Sequence, residues 1–248
     1  MSVLVYIENA EGKIKKTSLE AICYAAKLGG DVTAISIGNV DSSELEKVGV
    51  YGATKVLNAN DSKFTKPSIQ AYSSLIAEAF NSTGATSLVL AKSTLNDAMA
   101  GRLAIKLDAS LAQNVVASPE GNSVKTSIFS GKAFANVNLT QSNKVFALKK
   151  GAADLNETGG SATVESFGGS VADSDFAVET LNVEKQTGKI LLPDAELVVS
   201  AGRGLKGPEN WGMIEELASV LGAATACSKP VSDVDWRPHS EHVGQTGI

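Results

Sequence analysis

The sequence predicts an α/β fold, with a parallel sheet in the first part of the chain and a second, smaller α/β unit behind it. Continuous apolar runs alternate with segments whose apolar residues recur at helical spacing. Strands separated by helices of about 10–15 residues are typical of βαβ units, which build parallel sheets. After a polar stretch the same alternation starts again near Pro193. At roughly 100–200 residues per domain, the 248 residues suffice for one large or two ordinary domains.

The elements of the first part follow from these two periods. Uninterrupted apolar and β-branched runs, typical of strands buried on both faces, lie at residues 3–7, 31–37, 55–59 and 87–91. Helical spacing of apolar residues predicts helices over residues 17–28, 42–48 and 97–107, and a further helix with Pro67 in its first turn that ends at Gly84. The first helix is expected to open at Thr17, because Thr17-Ser18-Leu19-Glu20 has the spacing of a capping box.

The pattern changes in the middle of the chain. Four strands with no room for helices between them, predicted as an antiparallel addition to the sheet, lie at residues 115–118, 124–129, 133–139 and 144–149. Residues 152–184 are rich in Gly, Ser, Thr and Asp, and are predicted as a linking region with an edge strand or two. In the second unit, the predicted strand, glycine loop, helix and strand lie at residues 196–201, 202–207, 210–221 and 223–227.

Composition excludes several classes of protein. The net charge is −5 and no basic tract is present, so we expect no nucleic-acid partner. The two cysteines, Cys23 and Cys227, do not make a disulfide framework and are predicted as packing residues. No apolar run reaches the roughly 18 residues of a membrane span. The first residues also lack signal- and transit-peptide features, so we expect a cytoplasmic protein of bacterial type with no membrane insertion.

The segment Gly202-Arg203-Gly204-Leu205-Lys206-Gly207 is the first candidate site. It matches G-x-G-x-x-G between a strand and a helix, where glycines allow close approach of a phosphate to the backbone. By itself the pattern is also compatible with a plain glycine turn, although Arg203 and Lys206 favour an anion site. A nicotinamide fingerprint requires an acid about 20 residues further on, and that place holds Cys227 and Ser228.

Two shorter segments are further candidates. Gly244-Gln245-Thr246-Gly247 could present backbone N–H groups and a hydroxyl to a planar polar ligand, or could be a simple β-turn. Ser228-Lys229 follows a predicted parallel strand, at the edge where open α/β sheets bind ligands. His239 and His242 have no third ligand nearby, so no metal site is predicted. No nucleophile elbow or P-loop is present, and no catalytic residue is assigned.

Taken in order along the chain, these motifs carry a family resemblance. In the second unit they are 198–206, Ser228-Lys229 and 243–247; in the first unit they are Ser93-Thr94, 102–104 and 129–133. With these residues, essentially the whole sequence resembles the electron transfer flavoprotein alpha subunit. The resemblance implies an adenine-nucleotide-hydrolase-like, Rossmann-like domain over 1–190 for subunit interaction. It also implies the first part of a doubly wound FAD-binding domain over 191–248.

The resemblance implies an electron carrier without substrate turnover of its own. In this family the alpha subunit forms a heterodimer with a beta subunit and holds one FAD. The flavin takes electrons from dehydrogenases, typically the acyl-CoA dehydrogenases of fatty acid beta-oxidation, and passes them to a membrane quinone oxidoreductase. The alternative from the residues alone is a nicotinamide- or adenine-nucleotide-binding α/β protein without flavin electron transfer.

The family's flavin-contacting positions match Arg203, Ser228, Val243, Gly244, Gln245 and Thr246. Arg203 is expected on the anionic part of FAD, since a guanidinium fork suits phosphate oxygens. Thr246 matches the hydroxyl near flavin N5, where a donor would raise the potential. Lys229 stands where the family commonly has arginine. The lysine keeps the positive charge but lacks the planar, forked guanidinium. The family sequence continues beyond the position of Ile248, so we expect a C-terminally truncated FAD domain that binds FAD weakly.

Overall fold

The computed structural model describes residues 2–178, 180–182, 190–244 and 247. One compact unit ends at Thr180 and a second begins at Leu181. The predicted α/β class is confirmed, because the first unit is built on a large, mostly parallel sheet with helices on both faces. Among the helices of the described ranges, none is both long and apolar enough to cross a bilayer.

The first unit contains the following elements. Its strands are β1 (Ser2–Ile7), β2 (Asn9–Ala10), β3 (Lys13–Ile14), β4 (Asp31–Ile37), β5 (Lys55–Ala59), β6 (Ser87–Leu90), β7 (Ala109–Val115), β8 (Ser123–Ile128), β9 (Ala133–Asn138), β10 (Asn143–Leu148) and β11 (Thr163–Ser166). Its α-helices are α1 (Lys16–Leu28), α2 (Ser42–Glu46), α3 (Ile69–Ser82) and α4 (Thr94–Lys106).

The main sheet has nine strands in the order β11-β5-β4-β1-β6-β10-β7-β8-β9. Neighbours run parallel from β11 to β7, and β8 and β9 are added antiparallel. Both faces are covered, which explains the uninterrupted apolar runs. Val3, Val5 and Ile7 of β1 pack in a core with α1, and Leu4 and Tyr6 pack in a second core with α3 and α4.

The position of β10 differs from the prediction. It was expected in an antiparallel addition, but it lies between β6 and β7 and runs parallel to both. The connection from β6 to β10 passes through α4, β7 and the β8–β9 hairpin. No helical spacing directly precedes β10, and this led to the antiparallel prediction. The parallel orientation of β10 depends on the whole connection from β6, which includes α4. Its Val145 and Phe146 are buried on opposite faces, in different cores.

The start of α1 also differs from the prediction. The helix begins at Lys16 with Lys15 as its N-cap residue, so Thr17 lies inside it. Glu20, expected to close a capping box, instead accepts a hydrogen bond from the Gly151 N–H at 2.9 Å. The Glu20 side chain, which the local pattern assigned to the helix cap, is therefore bonded to a backbone group 131 residues away in sequence.

The second unit is smaller. Its elements are β12 (Val198–Ala201), β13 (Ala224–Cys227), α5 (Gly212–Leu221) and the short α6 (Lys229–Ser232). β12 and β13 are parallel, with Ala201 opposite Cys227. A core of Trp211, Cys227 and Val231 lies beneath the glycine loop.

The apolar face of α5 is only partly covered. Met213, Leu217 and Leu221 are exposed, at 61%, 48% and 49% of their surface. Ile214 packs against the small core, and Ala218 is buried. Two described strands present too little surface to cover the whole helix face.

Candidate cofactor site

Backbone pairing brings three segments to one edge of the second unit. The Ser228 N–H donates to the Ala201 carbonyl at 3.0 Å, so the residues after β12 and β13 lie side by side. On the other side of β13, His242 forms a parallel bridge with Cys227, and the Val243 N–H donates to the Cys227 carbonyl at 3.0 Å. The three predicted motifs therefore all follow the carboxyl ends of parallel segments, where open α/β sheets bind ligands.

The glycine loop does not need its glycines for backbone conformation. Gly202 is extended, at φ −129°, and the left-handed position of the loop is occupied by Lys206, at φ +68°. A Cβ built on Gly204 would meet nothing within 4 Å. Neither strain nor packing among the described residues explains Gly204, and the open space beside it would let a ligand approach the backbone closely.

The polar side chains of this edge are free to bind. The Arg203 guanidinium and the Lys229 ammonium are exposed, and neither has a hydrogen bond or ion pair with another described residue. Ser228 is half-buried, and a Cβ on Gly202 would lie 3.5 Å from its Oγ, so this hydroxyl faces the glycine loop. Two cations and a hydroxyl thus lie next to exposed backbone.

The third segment is held by close backbone contacts. Gly244 has φ +130°, a conformation that side chains rarely adopt. The Gly247 N–H donates to the Gly244 carbonyl at 3.2 Å. A Cβ on Gly247 would lie 2.3 Å from the His242 carbonyl oxygen, so glycine is required there. Both glycines therefore have a structural reason in addition to any contact with a ligand.

The predicted site residues are brought together as far as the structure describes them. Arg203, Ser228, Lys229, Val243 and Gly244 all lie at the carboxyl edge. The predictions for Gln245 and Thr246 lie outside the described residues.

The donor set fits a phosphate-bearing cofactor. Arg203 and Lys229 supply positive charge without partners, and Gly204 leaves space at the backbone. The buried Trp211 Nε1 has no hydrogen-bond partner among the described residues, and Leu205 of the loop packs against the small core that contains Trp211. An unpaired buried donor is unusual in a folded protein.

The end of β13 disfavours a nicotinamide site. Cys227 and Ser228 occupy the place where the ribose-binding acid would stand, and Asp233 comes only after α6. Cys227 is fully buried, and burial raises the pKa of its thiol. The cysteine is therefore a packing residue at neutral pH.

The histidines have structural partners. His239 Nδ1 lies 2.7 Å from the Ser232 hydroxyl, and the backbone of His242 pairs with β13. Within the described ranges, no group of three potential metal ligands occurs.

Two charged residues beside the site, Arg237 and Glu241, are absent from the site residues predicted from the sequence. Arg237 forms a two-fold hydrogen-bonded pair with Glu241, directly before the His242 bridge. The available signal was the pair of opposite charges four residues apart, close to the Val243 motif.

Together, a parallel α/β unit with a glycine loop and cations at its carboxyl edge defines a cofactor-binding protein of the dinucleotide-binding class. Residues 3–171 match the electron transfer flavoprotein domain, and residues 191–248 match the electron transfer flavoprotein FAD-binding domain. The chain belongs to the electron transfer flavoprotein alpha subunit family, and its cofactor is FAD.

Similar proteins named electron transfer flavoprotein subunit alpha occur in several bacteria. That of Syntrophomonas wolfei is 30% identical, over 98% of this chain and 78% of its own length. That of Bacillus subtilis is 30% identical, over 99% of this chain and 77% of its own length. The Pseudomonas aeruginosa protein is also 30% identical, over 100% of this chain and 80% of its own length.

Proposed function

We propose that this protein is a cytoplasmic electron carrier that accepts electrons from dehydrogenases and delivers them to a membrane quinone oxidoreductase. Acyl-CoA dehydrogenases of fatty acid beta-oxidation are the proposed donors, as the family resemblance implies. The observation that supports the proposal is the convergence of the three motifs at one carboxyl edge, in a chain of this family.

The proposed contacts divide the site by chemistry. Arg203 binds the anionic part of FAD. The Ser228 hydroxyl and the Lys229 ammonium are further polar ligands next to the glycine loop. Val243 and Gly244 place backbone beside the ring system, with Gln245 and Thr246 as further ligands. FAD supplies the electron-accepting chemistry, while the protein binds it and adjusts its electrostatic surroundings.

The proposed division of labour assigns residues 1–190 to subunit interaction and residues 191–248 to FAD. The partner is a beta subunit, with which the chain forms a heterodimer. An exposed apolar tip on the β8–β9 hairpin supports this assignment. Phe129 is 76% exposed and Phe134 is 55% exposed, and the neighbouring Ile128 is 37% exposed. Large exposed apolar side chains grouped in this way are typical of protein–protein contacts.

The test is co-expression of the protein with its beta-subunit partner, followed by an absorbance spectrum. We expect a heterodimer that turns yellow on addition of FAD, whose flavin absorbance is bleached by a dehydrogenase with its substrate and restored by a quinone oxidoreductase with its quinone. A folded, colourless heterodimer that stays colourless after addition of FAD would contradict the proposal. Saturable binding of NADH to that heterodimer would favour the nicotinamide alternative.

A further inference from the structure

Arg237 is the centre of a charged cluster behind the cofactor site. Its Nε and Nη2 donate to the two carboxylate oxygens of Glu241 at 2.7 and 2.6 Å, and its Nη1 donates to Glu215 of α5 at 2.8 Å. The guanidinium carbon also lies 5.5 Å from the centre of the buried Trp211 ring. One side chain thus contacts α5, the residue before α5, and the segment that leads to Val243.

The cluster is shielded from water. The side chains of Arg237 and Glu241 are only 14% and 10% exposed, whereas Glu215 is 50% exposed. A forked guanidinium–carboxylate pair has a fixed geometry and is stronger than a neutral hydrogen bond. The bonds to Glu241, with a further bond to Glu215, raise the pKa of Arg237 above its usual value, so its guanidinium stays charged at neutral pH. The Arg237–Glu241 pair, not the exposed Glu215 contact, therefore determines the geometry.

The segment that this pair fixes makes few backbone contacts with β13. Within the described residues, the His242–Val243 backbone is joined to β13 by one isolated bridge and the bond to the Cys227 carbonyl. The chain before it consists of turns, including Asp235 at φ +57°, and a short 3-10 helix over His239–Glu241. The Arg237–Glu241 pair adds a side-chain constraint to this backbone pairing, and binding sites need supporting contacts of that kind.

The same guanidinium touches the other side of the site. Trp211 lies four residues after the glycine loop, belongs to the small core against which Leu205 of that loop packs, and is the N-cap residue of α5. Glu241 precedes the Val243 motif by two residues. Arg237 therefore joins the segment after the first motif to the segment before the third.

We propose that Arg237 is a positioning residue for the cofactor site. Through Glu241 it holds Val243–Gly244 against β13, and through Trp211 it holds the start of α5 behind the glycine loop. The inference rests on the proposed function, in which FAD occupies this edge. Lysine would keep the charge but lose the fork, so the geometry of the pair, not its charge, carries the effect.

The test compares the heterodimer of the wild-type protein with those of Arg237→Lys, Arg237→Gln and Glu241→Gln. FAD is titrated into each apoprotein, and the visible circular dichroism and reduction potential of the bound flavin are measured. We expect each substitution to weaken FAD binding on the order of tenfold and to change the flavin circular dichroism. In the apoproteins, both Arg237 variants should also shift the tryptophan emission, because the guanidinium over Trp211 is lost or displaced.

Matched controls separate a local effect from a general loss of charge. Arg102 and Glu216 are exposed and have no side-chain partner among the described residues, so Arg102→Lys and Glu216→Gln should keep wild-type affinity and circular dichroism. The double variant Arg237→Gln with Glu241→Gln should bind FAD about as well as either single variant, because the pair acts as a unit.

Three outcomes distinguish failure of the proposed function from failure of the positioning role of Arg237. A wild-type heterodimer that binds no FAD removes the proposed function itself. Wild-type binding with unchanged affinity, circular dichroism and potential in Arg237→Lys and Glu241→Gln overturns the positioning role. If Arg237→Gln does not fold, the milder Glu241→Gln and Arg237→Lys variants carry the same test, and a lowered melting temperature with an unchanged flavin spectrum counts against the proposal.

Discussion

At the residue scale, the side chains that carry the site are those that the fold leaves without partners. Arg203 and Lys229 are exposed at the carboxyl edge and make no ion pair with a described residue, although acidic residues are close in sequence. By contrast, Arg237 in the same unit is fully engaged. The same residue type thus has a proposed binding role in one place and a proposed supporting role in the other.

Arg203→Ala should weaken FAD binding without harming the fold. A hydrogen bond to a charged group contributes about 1.5–3 kcal/mol, so the dissociation constant of the heterodimer should rise roughly 10- to 100-fold. Fluorescence titration with FAD measures it, and the melting temperature without FAD should stay unchanged. Arg102→Ala, another exposed arginine, is the control; equal affinities for both variants would contradict the role of Arg203.

Gly204→Ala separates ligand contact from folding. An alanine Cβ at this position meets nothing within 4 Å and the backbone is not left-handed, so the apoprotein should be as stable as the wild type or gain about 0.4–1 kcal/mol. FAD binding should nevertheless weaken, because the methyl group occupies the space next to the backbone. Urea unfolding and FAD titration test the two halves of this prediction.

Gly244→Ala is the comparison for that experiment. At φ +130° an alanine is strained, so here the apoprotein itself should be destabilised. If both alanine variants behave alike in unfolding and in binding, the distinction between the two glycines is wrong.

At the element scale, helix termini and strand ends are joined by specific polar contacts. The Ser93 hydroxyl accepts the Asn96 N–H at 3.0 Å as the N-cap of α4 and donates to the Glu8 carboxylate at the end of β1. Glu8 is 7% exposed and also pairs with Lys15 at 3.0 Å. The Ser93–Glu8 contact therefore joins the carboxyl end of β1 to the start of the helix that follows β6.

Ser93→Ala should destabilise the first unit by about 1–2 kcal/mol, since both the helix cap and a bond to a buried carboxylate are lost. The midpoint of urea unfolding, followed by far-ultraviolet circular dichroism, measures it. Ser82→Ala is the control, because the Ser82 hydroxyl only donates to the Ala79 carbonyl within α3. Equal midpoints for the two variants would show that the Ser93 contacts contribute little.

Glu44 predicts a pH dependence at the contact of α2 with β3. The bond from Lys47, with further bonds from Lys13 and the Ile14 N–H, lowers the pKa of the Glu44 carboxyl. The ionised Glu44 carboxylate contributes its whole stabilising effect above the pKa of the unfolded chain, which is about 4.3. This contribution to the free energy of unfolding is lost as the pH falls through the lower pKa of the folded protein. Glu44→Gln should therefore destabilise the protein at pH 7 and have less effect in acid.

Urea unfolding of both proteins at neutral and acid pH checks this, with the exposed Glu46→Gln as the control. A difference between wild type and Glu44→Gln that stays constant across the acid range would contradict the assigned cause.

At the scale of the whole molecule, the aromatic residues allow the two units to be followed separately. Both tryptophans, Trp211 and Trp236, lie in the second unit, and the four tyrosines lie in the first. We expect tryptophan emission and tyrosine absorbance to report different thermal transitions. FAD at about 100 times its dissociation constant should stabilise the second unit by about 2.7 kcal/mol and leave the tyrosine transition in place. Coincident transitions that move together with FAD would contradict this.

Much of the fold was predictable because burial leaves a local period in the sequence. The strands β1, β4, β5 and β6 were predicted within a residue or so, since uninterrupted apolar runs arise wherever both faces of a sheet are covered. The place of β10 in the sheet was not predicted, because the local periodicity of a sequence does not determine which strands pair. The start of α1 was wrong for the same reason, since Gly151 takes the Glu20 side chain from far along the chain.

The sequence by itself determined the α/β class, the family and the three motifs, because each depends on residue types at short, defined spacings. The tertiary structure decided that Gly202, Ser228 and Val243 meet at one edge, because pairing of Ala201, Cys227 and His242 brings the ends of three segments together. It also decided that Gly204 borders open space and that Arg237 joins α5 to the Val243 segment. Hydrogen bonds and packing between residues distant in sequence fix these features, and no local pattern encodes them.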